Sequence, residues 1–100
     1  MQADDYQQWT ASIYESGQEL WYYALGLAGE SGETVDAIKK GYRHYSDSPP
    51  LNVEKVLLEL GDTLWYAARI ASHLGYSLTK VMDMNREKLE MRARERNING

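Results

Sequence analysis

Val53-Glu54-Lys55-Val56-Leu57-Leu58-Glu59-Leu60-Gly61-Asp62-Thr63-Leu64-Trp65-Tyr66-Ala67-Ala68-Arg69-Ile70-Ala71-Ser72-His73-Leu74, residues 53–74, is the stretch whose reading decides the fold class. Val56, Leu60, Leu64, Ala67 and Ala71 recur at helical spacing, so the segment reads as one long amphipathic helix. Asn52 offers an N-cap in front of it and Gly75 a terminator behind it. Leu58 and Trp65 fall on roughly the opposite side, at about 100° per residue. A helix that is apolar on two sides is normally buried on two sides. In a chain this short the second side is expected to pack on another subunit.

Upstream, the polar segment His44 to Leu51 holds Pro49-Pro50, the chain's two prolines, and reads as a loop. Before it, Gln18 to Tyr42 reads as a second long helix, with Leu20, Ala24, Leu27, Val35 and Ile38 as its apolar stripe. Gly26, Gly29 and Gly32 lie inside it, each costing on the order of 1 kcal/mol relative to alanine. Close approach of another backbone or of a ligand is the expected compensation. A first helix is expected from about Asp4 to Glu15, with Tyr6, Trp9, Thr10 and Ile13 on one face. After Gly75, Ser77 caps a fourth from Leu78 to about Arg94, whose apolar face is Leu78, Val81 and Leu89. No window alternates apolar and polar residues in strand fashion, and no internal repeat stands out. The expectation is an all-α, four-helix, largely antiparallel bundle forming one domain over residues 1–100.

Composition narrows the function. The chain has 100 residues, 43% apolar and 26% charged, in the ordinary range for a folded domain. The formal net charge of −4 disfavours a nucleic acid polymer as partner, but not a small anion that brings its own cations. With no cysteine, disulfides, thiolate zinc sites and thiol catalysis are excluded. Met1-Gln2-Ala3-Asp4-Asp5 has neither a basic start nor an apolar run, so no secretory leader is expected. No stretch approaches the roughly 18 apolar residues of a membrane span, so no membrane association and a cytoplasmic location are expected.

Two acidic pairs carry the chemistry. Glu30 and Glu33 stand three apart on the second helix, and Glu59 and Asp62 do so on the third, each pair enclosing a glycine. That spacing puts both carboxylates of a pair on one face, where they repel. The residues four further on are Thr34, Ala37, Thr63 and Tyr66, none of them a base. If the two helices pack antiparallel, four hard oxygen donors converge, which suits Mg2+, with Mn2+ as a substitute. One such pair is common on any solvated helix; two beside small residues are less so. On the fourth helix, Val81, Asn85, Lys88 and Arg92 fall on one line, running an apolar face into groups able to bind phosphate. Solvated Lys88 and Arg92 with a backbone-bonded Asn85 is the plainer reading of that line. Lys40 lies at the edge of the acidic face.

Ala24-Leu25-Gly26-Leu27-Ala28-Gly29-Glu30-Ser31-Gly32-Glu33, then Glu59-Leu60-Gly61-Asp62-Thr63-Leu64-Trp65-Tyr66, then Asn85-Arg86-Glu87-Lys88-Leu89 resemble, in order and spacing, the MazG-like branch of the all-α nucleoside triphosphate pyrophosphohydrolases. The resemblance implies a divalent-metal site made from Glu30, Glu33, Glu59 and Asp62. It implies hydrolysis of a nucleoside triphosphate to the monophosphate and pyrophosphate, in a homodimer or homotetramer. Asn85 and Lys88 match positions that contact phosphate or sugar, and Tyr66 an aromatic position at the nucleotide. Base contacts would come from Trp9, Ile13, Tyr14 and Trp21. The single-module form is the kind that phages and mobile elements carry.

On this reading Lys88 and Arg92 offset charge on the leaving pyrophosphate, Lys40 assists, and Glu33 takes the proton of the attacking water. A di-iron carboxylate bundle would need a His three residues after a Glu. Gly41 precedes His44 at that distance and Ile70 precedes His73, so that motif is missing. No P-loop run exists either. The alternative from another class is a non-catalytic dimeric helical interaction module whose acids are a solvated face. Base and sugar preference stay open.

Overall fold

The four helices of the computed structural model are α1 (Ala3–Thr10), α2 (Leu20–Lys40), α3 (Val53–His73) and α4 (Leu78–Asn99). The structure describes residues 1–13, 17–42 and 50–99, with side chains to 97. Among the described residues there is no strand, so the chain is all-α as expected. Tyr14 lies outside the described residues, as does His44.

Local chemistry sets the helix ends. Asn52 Oδ1 accepts from the Lys55 backbone N–H at 3.1 Å, which caps α3. At the other end Gly75 takes φ 85°, a left-handed conformation that a side chain would oppose. Around it the Tyr76 N–H donates to the Ala71 carbonyl at 2.9 Å and the Gly75 N–H to Ser72 at 3.0 Å. These are the paired bonds of a Schellman stop. The first three backbone donors of α4 are each satisfied by a side chain. Leu78 N–H donates to Gln7 Oε1 at 2.7 Å, Thr79 N–H to Asp4 Oδ1 at 3.0 Å, and Lys80 N–H to Ser77 Oγ at 3.0 Å. Two of those acceptors belong to α1, so α1 caps α4 across the fold.

Packing follows the expected apolar stripe of α3 only in part, burying Ala71 and half-burying Val56 and Ala67. α2 and α3 run antiparallel, with Tyr23 beside His73 and Gly41 beside Leu51 at opposite ends of the pair. α3 turns Glu59, Thr63 and Tyr66 toward α2, while Leu60 and Leu64 of the expected core stripe remain about half exposed. Trp65, expected against another subunit, packs instead within the chain, edge-on to Tyr23 at 6.2 Å and to Tyr66 at 5.0 Å. The reason is steric. A glycine at 26 admits the Tyr66 ring, so the polar side of α3 can approach α2 more closely than its leucines could. A Cβ at Gly29, Gly32 or Gly61 would meet nothing within 4 Å, so the close approach expected of Gly29 and Gly32 is absent among the described residues.

The buried core is small and partly polar. Tyr23, Ala37, Ala68, Ala71 and Leu78 share it with Gln7, Thr10 and Arg69. The Arg69 guanidinium donates to Thr10 Oγ1 at 3.2 Å and lies 5.8 Å over the Tyr23 ring. Beyond Leu78 every described side chain of α4 is exposed, Val81 and Leu89 included, and α4 touches α1 and α3 but not α2. The radius of gyration of 17.1 Å exceeds the roughly 13 Å of a compact chain this long, so a single copy does not close into a complete bundle.

Gln7→Ala removes the cap of Leu78 and the bonds to Ser72 Oγ and the Tyr76 carbonyl. It should cost about 2 kcal/mol in urea or thermal unfolding, since the Leu78 N–H is left buried without an acceptor.

Candidate functional site

Antiparallel pairing carries Glu30 of α2 to Glu59 and Asp62 of α3. One carboxylate oxygen from each lies within 4.8 Å of the other two. Glu33, the fourth expected acid, is exposed and stands outside that cluster, though its charge is still felt at Glu30. Two threonines stand beside the cluster. Thr34 Oγ1 donates to the Glu30 carbonyl at 3.0 Å, Thr63 Oγ1 donates to the Glu59 carbonyl at 3.2 Å, and the two hydroxyls meet at 3.4 Å. The stretches Glu30-Ser31-Gly32-Glu33-Thr34 and Glu59-Leu60-Gly61-Asp62-Thr63 thus form a short repeat, absent from the expectation because its meaning is spatial. The first supplies one carboxylate to the cluster and the second supplies two, and each supplies one hydroxyl to the helix contact.

Crowding of like charge perturbs the site. The Glu30 carboxyl is pushed above its ordinary 4.5 by burial first, then by the charges of Asp62 and Glu59, a hydrogen bond with Glu59, and the charge of Glu33. The Tyr6 hydroxyl is raised above 10.0 by burial and then by Asp62. One base does stand at helical distance from these acids. Lys55, four residues before Glu59 rather than after it, brings Nζ to 3.4 Å from Glu59 Oε1. Hard carboxylate oxygens this close are the donor set that Mg2+ or Mn2+ takes, so the residues fit a divalent ion.

Beside the carboxylates opens a cleft of about 640 Å³. Trp9, Ile13 and Tyr66, three of the residues proposed from the sequence for the nucleotide, line it, and Glu30 and Asp62 border it. Tyr6, Tyr22, Leu57, Leu58 and Trp65 also line it and were not expected there from the sequence. Of these, only Tyr22 and Trp65 are aromatic residues near an acidic pair in the sequence, a signal that carries no direction without the helix packing. Trp21 is not in the lining; it is exposed, edge-on to Tyr22 at 6.3 Å. Lys40 pairs with Asp36 at 3.0 Å. It lies ten residues, or roughly 15 Å of helix, from Glu30. Asn85, Lys88 and Arg92 sit on the exposed length of α4, with Lys88 and Arg92 along a shallow groove of that helix, and are not joined to the acidic cluster within one chain.

Fold and site together define an all-α protein with a carboxylate cluster at the edge of an aromatic cleft. The chain belongs to the MazG nucleotide pyrophosphohydrolase domain family, whose pattern it matches over residues 18–97. It is 35% identical over 79 residues to the Gene 37 protein of Mycobacterium phage L5, covering 78% of this chain and 69% of that one. The crystal structure of iMazG from Vibrio DAT 722 superimposes with a TM-score of 0.65 at 24% identity, over 92% of this chain and 97% of that one. That second likeness concerns the fold.

Two outcomes follow. A methyl group at residue 26 overlaps the Tyr66 ring, so Gly26→Ala should cost about 1–3 kcal/mol of stability. It should also shift the fluorescence of Trp65, which Tyr66 contacts. Because Glu30 holds its proton more tightly in the native state, the metal-free native state binds more protons than the unfolded chain from pH 4.5 up to the raised value. Stability should fall as pH rises through that window and stay reduced above it. Glu30→Gln should remove this fall and raise Tm at neutral pH in chelator; an unaltered pH profile would count against the geometry.

Proposed function

We propose that the protein hydrolyses a nucleoside or deoxynucleoside triphosphate to the monophosphate and pyrophosphate, with Mg2+, or Mn2+ in its place, held by Glu30, Glu59 and Asp62 and completed by Glu33. The observation that supports it most is the convergence of three carboxylates from two helices beside an aromatic cleft. When bound, the ion supplies charge neutralisation along the phosphate chain and a more acidic attacking water. The chain's own residues do the rest. Trp9, Tyr66 and the neighbouring Tyr6 and Trp65 offer ring faces on which a base can stack. The cleft's apolar walls exclude water from the base, and Glu33, solvent-facing, is the carboxylate we assign to accept the proton.

Asn85, Lys88 and Arg92 are proposed to hold the phosphates and to offset charge on pyrophosphate. α4 does not reach α2 in its own chain, so this duty requires a second copy. Half-exposed Leu60 and Leu64, with more fully exposed Leu57, supply an apolar surface for a homodimer or a dimer of dimers. No helix of the described residues is long and apolar enough to cross a membrane. We assign the activity to control of a nucleotide pool, and a relative carried by a phage supports a host cytoplasm as its place.

Pyrophosphate release from a panel of nucleoside triphosphates in Mg2+ and Mn2+ tests the reading. Glu59→Gln should abolish turnover while leaving the helical circular dichroism intact; a variant that keeps its activity in Mg2+ would refute the assignment. Mg2+ with a non-hydrolysable nucleotide should raise Tm of the wild-type protein, which a non-catalytic helical scaffold would not show. Leu64→Glu should shift the particle toward monomer in sedimentation and lower activity with it.

A further inference from the structure

Lys55 stands where helix physics does not favour a cation. It is in the first turn of α3, beside the positive end of the helix dipole, and N-terminal to its acidic partner, the weaker order for a pair four apart. The capping bond from its backbone N–H to Asn52 would form with any non-proline residue there. Its side chain is half exposed, whereas that of Glu59 is only 17% exposed, so the ammonium sits at the mouth of the acidic cluster. Among the described residues it is the cation ion-paired to a member of the triad. Lys40, the other candidate on these two helices for contact with substrate, is held by Asp36.

Resting on the pyrophosphohydrolase reading, we propose that Lys55 is a tethered cation that occupies Glu59 in the metal-free protein, releases it to the divalent ion, and then binds the phosphate chain of the nucleotide. Three physical reasons connect the steps. Glu59, as one of the residues that would hold a divalent ion, would be contested between that ion and the ammonium, which like charge would repel. The stem of Lys55 is flexible and already half in solvent, so leaving Glu59 requires no backbone movement. A phosphate chain gathered at the carboxylates then presents the nearest anion, and an ammonium is a compact point charge suited to it. Lys55 thereby keeps part of the cluster neutral before the metal arrives and replaces repulsion with attraction once substrate is present.

The test has two arms. In nucleotide-free protein, Mn2+ binding followed by the paramagnetic resonance of the free ion should be about threefold to tenfold tighter in Lys55→Met than in Lys39→Met, which controls for net charge. In saturating Mg2+, calorimetry with inorganic tripolyphosphate should show roughly tenfold weaker binding in Lys55→Met, with Lys55→Arg restoring most of it. Equal Mn2+ affinity in the two methionine variants, or tripolyphosphate binding insensitive to Lys55, overturns the assignment of Lys55 alone. Wild-type protein that binds no Mn2+ overturns the pyrophosphohydrolase reading itself.

Discussion

The ring of Tyr66 lies where a side chain at residue 26 would be, and the architecture of the site depends on that close approach. It lets α3 turn its polar side toward α2. The Thr34 and Thr63 hydroxyls then meet, and Glu30, Glu59 and Asp62 come within 4.8 Å of one another. Without the glycine, the two helices would be held apart by a side chain, and each acidic pair would be an ordinary solvated pair on its own helix.

Bringing those acids together has an electrostatic consequence. Glu30 is desolvated beside two further carboxylates, so its ionised form is disfavoured in the absence of a cation. Lys55 relieves part of this at Glu59, from a half-exposed position that leaves it displaceable. A bound divalent ion would relieve the rest, which ties the stability of the fold to the occupancy of its site. The like-charge crowding is therefore intelligible as a binding device rather than as a structural support.

Elsewhere the chain uses its polar groups to fix geometry. Gln7 and Asp4 of α1 satisfy the first donors of α4, and Arg69 stitches α3 to α1 through Thr10. This fixes the direction in which α4 leaves the core, yet most of α4 gains no apolar contact by it. The leucines of α3 and the apolar residues of α4 stay at the surface of a single copy. An arrangement this open, in a chain this short, is consistent with assembly as part of its stability.

Helix number, order and most boundaries were legible in the sequence because they follow from local chemistry. Apolar periodicity marked α2 and α3, Asn52 and Ser77 marked helix starts, and Gly75 marked a stop. The acidic pairs were legible as well, since spacing three apart on a helix is a local property. Which face of α3 turns inward was legible only at Val56, Ala67 and Ala71, which are wholly or partly buried. Hydrophobic periodicity pointed to Leu60 and Leu64, but the steric opening at Gly26 selected Tyr66 and the acids instead. For the same reason Trp65 became an intramolecular contact and Tyr6 and Tyr22 entered the cleft. Periodicity measures which residues share a side of a helix; only the packing of one helix on another, decided by shape at a few contact points, says what that side will face.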